Sequence, residues 1–419
     1  MNKSYLLDPI QILRGPNQTV TSDAVLIVNR HIKAFGQRAR DLAYELKIDK
    51  TSAEKLFFAP CLVDPHSVLE DYLNGKAETL WTLMKKAANA GYGQIALLPK
   101  ASPWRDKPEY LYSIKNLGQD VLIHLWGGFS QKGAGEKLTS HKDLIDHGAV
   151  GLADDDWMIP IELLKKGLIL NETKEKPILL APRDLAIQGH GLVRESVEAL
   201  RAGWHQDPVA SETIPLGTLL ELQKQHPSSK IRLMNLSTAE GVNMLKKSSP
   251  KPMASVFWWH LVADQSTVTS TDIGIRVSPS LGSSNDRESL KKALQERILT
   301  GVAVHNISLD DAETKKPFSE IIPGISGYHL VLPSLWQELI KKSKWSVEQL
   351  WEAISFGPSK ILSLPPEELK VGSNRWLLFD PDQKWIQTRK YQEKGWETNS
   401  NQPWEGIEMI GKIIDCGLS

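Results

Sequence analysis

Four histidines, His66, His124, His260 and His305, stand in or just after short apolar runs, and the first of them completes an Asp-x-His with Asp64. Imidazoles and carboxylates converging from separate chain segments are the donors that hold zinc, which needs three or more of them. A metal site rebuilt from these four imidazoles is one reading. The plainer one is that His66 alone retains no metal and that Asp64 serves a local hydrogen bond. The acidic run Asp154, Asp155, Asp156 suits a hard cation, or a solvated loop. Cys61, five residues before His66, suggests a thiol nucleophile, but it falls inside an apolar run, where cysteine acts as a small hydrophobe. Lys100, His124 and Arg183 offer polar contacts to a small molecule.

Eight short apolar runs would position these residues: 57–63 (FFAPCLV), 94–98 (QIALL), 121–126 (VLIHLW), 149–153 (AVGLA), 177–181 (PILLA), 231–236 (IRLMNL), 253–259 (MASVFWW) and 302–307 (VAVHNI). Each is apolar on both sides of the strand alternation, as in a parallel sheet covered on both faces. Helical patterns lie between them. In the first, Leu80, Leu83, Met84, Ala87 and Ala88 repeat at helical spacing and Gly91 stops the pattern. Strands alternating with helices predict a closed (β/α)8 TIM-type barrel; no Gly-rich phosphate turn follows any strand, which disfavours a doubly wound sheet. Segments 5–36 and 368–390 show short strand patterns with no helical period, predicting that both termini meet in one small β-sandwich. The expected division is 1–56 and 365–419 for the sandwich and 57–364 for the barrel. The loop 127–138 (GGFSQKGAGEKL) is expected to be mobile.

Composition narrows the class. Lys and Arg total 50 and Asp and Glu total 50 among 419 residues, which speaks against the basic surface of a nucleic-acid or membrane-surface binder. No apolar run approaches the ~20 residues of a membrane span, and no secretory leader pattern opens the chain. With only two cysteines there is no disulfide framework, so the expected compartment is cytoplasmic. The 14 tryptophans are scattered, and most are expected in the core or at an interface.

A barrel opening on Asp-x-His between two halves of a β-domain resembles the amidohydrolase superfamily, and the order of segments resembles the dihydroorotases of pyrimidine biosynthesis. The resemblance rests on the run from Ala59 to His66, on Ala90-Gly91-Tyr92-Gly93 with Leu98-Pro99-Lys100, and on Asn235-Leu236-Ser237-Thr238. It continues through Trp258-Trp259-His260-Leu261, Pro317-Phe318, Pro323-Gly324-Ile325-Ser326-Gly327, Gly357-Pro358-Ser359-Lys360 and Val371-Gly372-Ser373. It implies zinc polarising a water that attacks a ring amide, with an aspartate at a strand end moving the proton. The motif positions in this chain depart from that chemistry. His66 is retained as a remnant ligand, whereas the other ligand positions carry Val68, Pro182 and Asn235, and His305 stands at the expected catalytic aspartate position. No lysine ends the fourth strand. In the substrate pocket, Glu70, Lys100 and Ser278 occupy the positions of the family's arginine, asparagine and pocket segment. Glu70 in place of an arginine disfavours an anionic substrate. The indoles of Trp258 and Trp259 are expected to fill part of the vacated cavity.

The resemblance thus implies a dihydroorotase-like protein without catalysis and without a metal cofactor. Its expected role is that of a non-catalytic partner of aspartate transcarbamoylase, with homo-oligomerisation open. The alternatives are an active dihydroorotase or related cyclic-amide hydrolase with a rebuilt zinc site, and a binding module for another small molecule.

Overall fold

In the computed structural model the described residues are all but 1–3, 72, 74, 116–120, 174, 268–275, 318, 389–400 and 419. Phe318 and the last two residues of segment 368–390 therefore lie outside them. Eight parallel strands follow one another around a nearly closed barrel: Leu62–Ser67, Tyr92–Leu97, Leu122–Gly128, Gly151–Ala153, Ile178–Leu180, Ile231–Leu233, Met253–Phe257 and Gly301–Ala303. Their alternation explains the doubly apolar runs. Ile95, Leu97, Leu125, Leu152, Ile178, Leu180, Ile231, Leu233 and Val256 face the surrounding helices. Val63, Ala96, Leu98, Trp126, Ala153, Leu179, Ala181 and Met234 form a separate interior cluster. Trp126 is the bulk of that interior, donating Nε1–H to the carbonyl of Pro65 at 3.0 Å. A Cβ on Gly151 would lie 2.6 Å from the Trp126 ring, so this position needs glycine for the indole to fit.

The first barrel helix, Leu80–Asn89, starts at a Thr79–Thr82 capping box and buries the five residues of the apolar stripe. Gly91 follows with φ +74°, a left-handed conformation that favours glycine. Strands one and eight share no ladder; a carboxylate joins them instead. Asp64 accepts the Val304 N–H at 3.0 Å, the Tyr328 hydroxyl at 2.7 Å and the Ser67 hydroxyl. Ser67 Oγ in turn accepts the Asn306 N–H at 2.7 Å. Burial pushes the Asp64 carboxyl up to about 6, against the hydrogen bonds that favour its anion.

The termini meet in one continuous six-stranded sheet, in the spatial order Glu408–Cys416, Trp376–Ile386, Lys50–Pro60, Ser4–Ile12, Thr21–Val28, His31–Phe35. The run beginning at Phe57 splits between two elements. Residues 57–60 end the long strand Lys50–Pro60, which pairs with Trp376–Ile386, and the first barrel strand starts at Leu62. Residue 56 thus lies inside a strand. A helix, Gly36–Glu45, covers one face of the sheet through Ala39 and Ala43; two buried alanines leave no strong apolar period to read. The loop 127–138 makes several hydrogen bonds to its own ends and to the fourth strand end. Ser130 bridges Leu138, Gln131 N donates to Lys137 O at 2.8 Å, and Asp154 holds Ser130.

Candidate functional site

The strand ends bring His66 and His305 side by side, with Nδ1 to Nδ1 at 3.1 Å. His66 Nε2 lies 2.8 Å from the Ser255 hydroxyl, which also accepts the Asn235 N–H at 3.0 Å. Protons on both Nδ1 atoms would face each other, so the contact needs one N–H and one bare nitrogen. Burial acts in the same direction. It pushes His305 down to about 4 and His66 well below its ordinary value, with the His305 charge adding to the effect on His66. The pair is neutral at pH 7.

The other two imidazoles are elsewhere. His124 sits near the start of the third strand, at the opposite end of the barrel from the candidate site, 2.9 Å from Gln94 Oε1. Gln94 Nε2 donates to Glu367 at 2.7 Å, and Glu367 also pairs with Arg375. This cluster anchors the C-terminal segment to the barrel floor, which also removes His124 from any binding module at the mouth. His260 lies on the short helix Trp259–Val262 with its ring centroid 5.6 Å from that of Phe257. Among the described residues no group of three or more His, Cys, Asp or Glu side chains is placed to hold a metal ion.

Each position where the family resemblance implied a ligand has a definite place. Val68 is buried in the barrel interior and its N–H bonds Asn306 O at 3.0 Å. Pro182 and Asn235 line a cavity with Asp156, Ala181, Arg183, Met234 and Pro279. Its volume is about 10 Å³, room for about one water molecule. Asn235 is 3% exposed, has φ +51°, and neither side-chain polar atom has a hydrogen-bond partner. Ser237 and Thr238, which follow it, are fixed by Glu212. That carboxylate accepts both their N–H groups and both hydroxyls, and Arg194 pairs with it at 3.5 Å and with Asp207 at 3.1 Å.

The acidic run is not a solvated loop. Asp154 accepts the Ser130 N–H at 3.0 Å and the Ser130 hydroxyl at 2.6 Å, and burial pushes its carboxyl up to about 7. Asp155 pairs with Lys100 at 3.0 Å. Asp156 pairs with Arg183 at 2.9 Å and accepts the Ser278 hydroxyl at 2.5 Å. The Arg183 charge holds the Asp156 carboxyl below its ordinary value, against burial. Lys100, Arg183 and Ser278 are therefore all committed to carboxylates of this chain; Glu70 is exposed. These partners were not legible beforehand, because the sequence shows three adjacent aspartates but not which cations fold onto them.

The two indoles do not plug the interior. Trp258 and Trp259 are buried in the outer, helix-facing cluster, the first edge-on and the second tilted against Trp404 at centroid distances of 6.0 and 4.9 Å. The tryptophan inside the barrel is Trp126. Cys61 is fully buried, and burial raises its thiol well above the usual range, so it is a packing residue rather than a nucleophile. The Ser255–His66 contact has the separation of a nucleophile and its base. Ser255 is wholly buried within its strand, however, and does not line the cavity.

No family model matches the chain. Among curated proteins, a probable dihydroorotase-like protein of Synechocystis sp. is 31% identical, over 97% of this chain and 97% of its own length. The dihydroorotase of Carboxydothermus hydrogenoformans is 25% identical over 80% of this chain and 79% of its own. Among solved structures, the L-hydantoinase (dihydropyrimidinase) of Arthrobacter aurescens superposes with a TM-score of 0.75 at 17% identity, covering 99% of this chain and 94% of that one. The dihydropyrimidinase of Brevibacillus agri gives a TM-score of 0.77 at 17% identity, covering 99% and 93%. These two establish the barrel fold, and the identity to the Synechocystis protein across nearly the whole of both chains establishes the kinship. The chain belongs to the dihydroorotase and dihydroorotase-like family.

Proposed function

We propose that this protein is a non-catalytic member of its family, a barrel that no longer hydrolyses a cyclic amide. The observation that carries the reading is the donor set at the strand ends. Zinc requires three or more convergent donors. Here two imidazoles hydrogen-bond each other, one of them also engages Ser255, and the remaining positions hold Val68, Pro182 and Asn235. The residues do not fit the metal, so no catalytic step through it is derived. The cavity left beside them admits about one water, far less than a pyrimidine ring.

A barrel can lose turnover and still fold, because stability and catalysis reside in different residues. The proposed role is therefore that of a structural partner, and the family resemblance names aspartate transcarbamoylase as the partner. The second reading, an active dihydroorotase or related cyclic-amide hydrolase, is favoured by the names of the dihydroorotase relatives. Two experiments separate them. Purified protein supplied with zinc is assayed for hydrolysis of dihydroorotate; no turnover is expected, and turnover with stoichiometric zinc would overturn the proposal. Size-exclusion chromatography with aspartate transcarbamoylase at micromolar concentration is expected to give one co-eluting species; separate elution would remove the scaffold role.

A further inference from the structure

The cations at the barrel mouth already hold anions, and those anions belong to this chain. Lys100, after the second strand, meets Asp155 at 3.0 Å. Arg183, after the fifth, meets Asp156 at 2.9 Å. Both aspartates come from the single turn after the fourth strand, with Asp154 locked onto Ser130 beside them. We propose that Asp155 and Asp156 are an internal ligand, two carboxylates on adjacent residues that fill a latent site for a small dicarboxylate.

Three further observations point to a ligand site rather than to ordinary surface ion pairs. The Asp156–Arg183 pair borders the strand-end cavity, and the Arg183 side chain is only 8% exposed. Arg183 Nε and both polar atoms of the Asn235 side chain are buried without partners, and both residues line that cavity. The Ser278 hydroxyl, from a third segment, adds a hydrogen bond to the same Asp156 oxygen that Arg183 contacts. A guanidinium, a hydroxyl and an ammonium converging from separate segments are the groups that recognise carboxylates. Each charge is offset within the chain, so an external dianion would have to displace a tethered carboxylate at very high effective concentration. The unmodified protein is thereby closed to such ligands.

The inference rests on the reading of this mouth as non-catalytic. The test is isothermal titration with succinate of the full chain and of the Asp155→Ala/Asp156→Ala variant. The unmodified protein is expected to show no saturable binding. The variant should bind succinate with a Kd at least about ten-fold below the highest concentration tested, and adding Lys100→Met should abolish that gain. Should the double variant not fold, Asp155→Ala alone removes only the Lys100 pair, whose lysine is partly exposed, and is expected to bind acetate, again dependent on Lys100. Succinate binding by the unmodified protein without turnover would overturn this inference alone. Failure of both folded variants to bind would overturn it too. Dihydroorotate hydrolysis by the unmodified protein would overturn the non-catalytic reading beneath it.

Discussion

At the scale of single residues the barrel holds buried groups, at its mouth and at its floor, away from their ordinary protonation. His124, His260 and His305 are pushed down to about 4 and His66 is lowered as well, all chiefly by burial. In the unfolded chain a histidine takes its proton near 6.5. Between about pH 6.5 and 4 the unfolded state therefore binds more protons, and stability falls as pH falls. Asp64 and Asp154, raised to about 6 and 7, act oppositely: their protonated forms favour the fold below the ordinary carboxylate range, and that contribution is lost as pH rises through 6 to 7. With His141 and His329 the lowered imidazoles among the described residues number six, against three raised aspartates with Asp155, and the imidazoles outweigh them. Urea unfolding is thus expected to show falling stability from pH 6.5 to 4.5. The substitution His305→Asn, which suits the left-handed backbone at this position (φ +47°), should reduce that fall by about 2 kcal/mol. An unchanged acid slope would mean that His305 titrates normally.

At the scale of elements, closure of the barrel depends on side chains where backbone pairing stops. Tyr328→Phe removes one hydrogen bond to Asp64 and is expected to lower the unfolding free energy by about 1 kcal/mol. Asp64→Ala leaves the Val304 N–H and the Ser67 hydroxyl without their acceptor, and the Tyr328 hydroxyl with only Ser67 Oγ at 3.1 Å, and should lower it by about 2–4 kcal/mol. Equal effects of the two in chemical denaturation would contradict this assignment. The elements themselves were largely legible, because strands buried on both faces read as doubly apolar runs, and all eight fall on or beside their expected positions. The errors have physical causes. Residues 57–63 are one apolar run in sequence but two strands in space, since Pro60 and Cys61 carry the chain from the terminal sheet into the barrel. Trp258 and Trp259 continue the seventh run in composition only; the strand ends at Phe257 and a short helix turns the indoles outward. His124 was legible as a strand residue, but its end of the barrel follows from register, which apolar runs do not encode.

At the scale of the whole molecule, a familiar barrel carries a mouth whose Lys100 and Arg183 are paired with the chain's own aspartates. Residue types at the motif positions were readable in sequence, namely His66, Val68, Pro182, Asn235 and His305. What fills the space was not, because the Lys100–Asp155 and Arg183–Asp156 pairs join residues far apart in the chain. Reversing the motif positions with Val68→His, Glu70→Arg, Pro182→His, Asn235→His and His305→Asp is expected to restore zinc uptake more readily than turnover, because ligands also need partners that orient them. Recovery of dihydroorotate hydrolysis to the level of an active relative would contradict that expectation. The most direct test is metal analysis of the unmodified protein, loaded with zinc and then desalted. Hydrogen-bonded imidazoles with no third donor among the described residues should leave it with far less than one zinc per chain. One equivalent retained through desalting would contradict a barrel that cannot hold the metal.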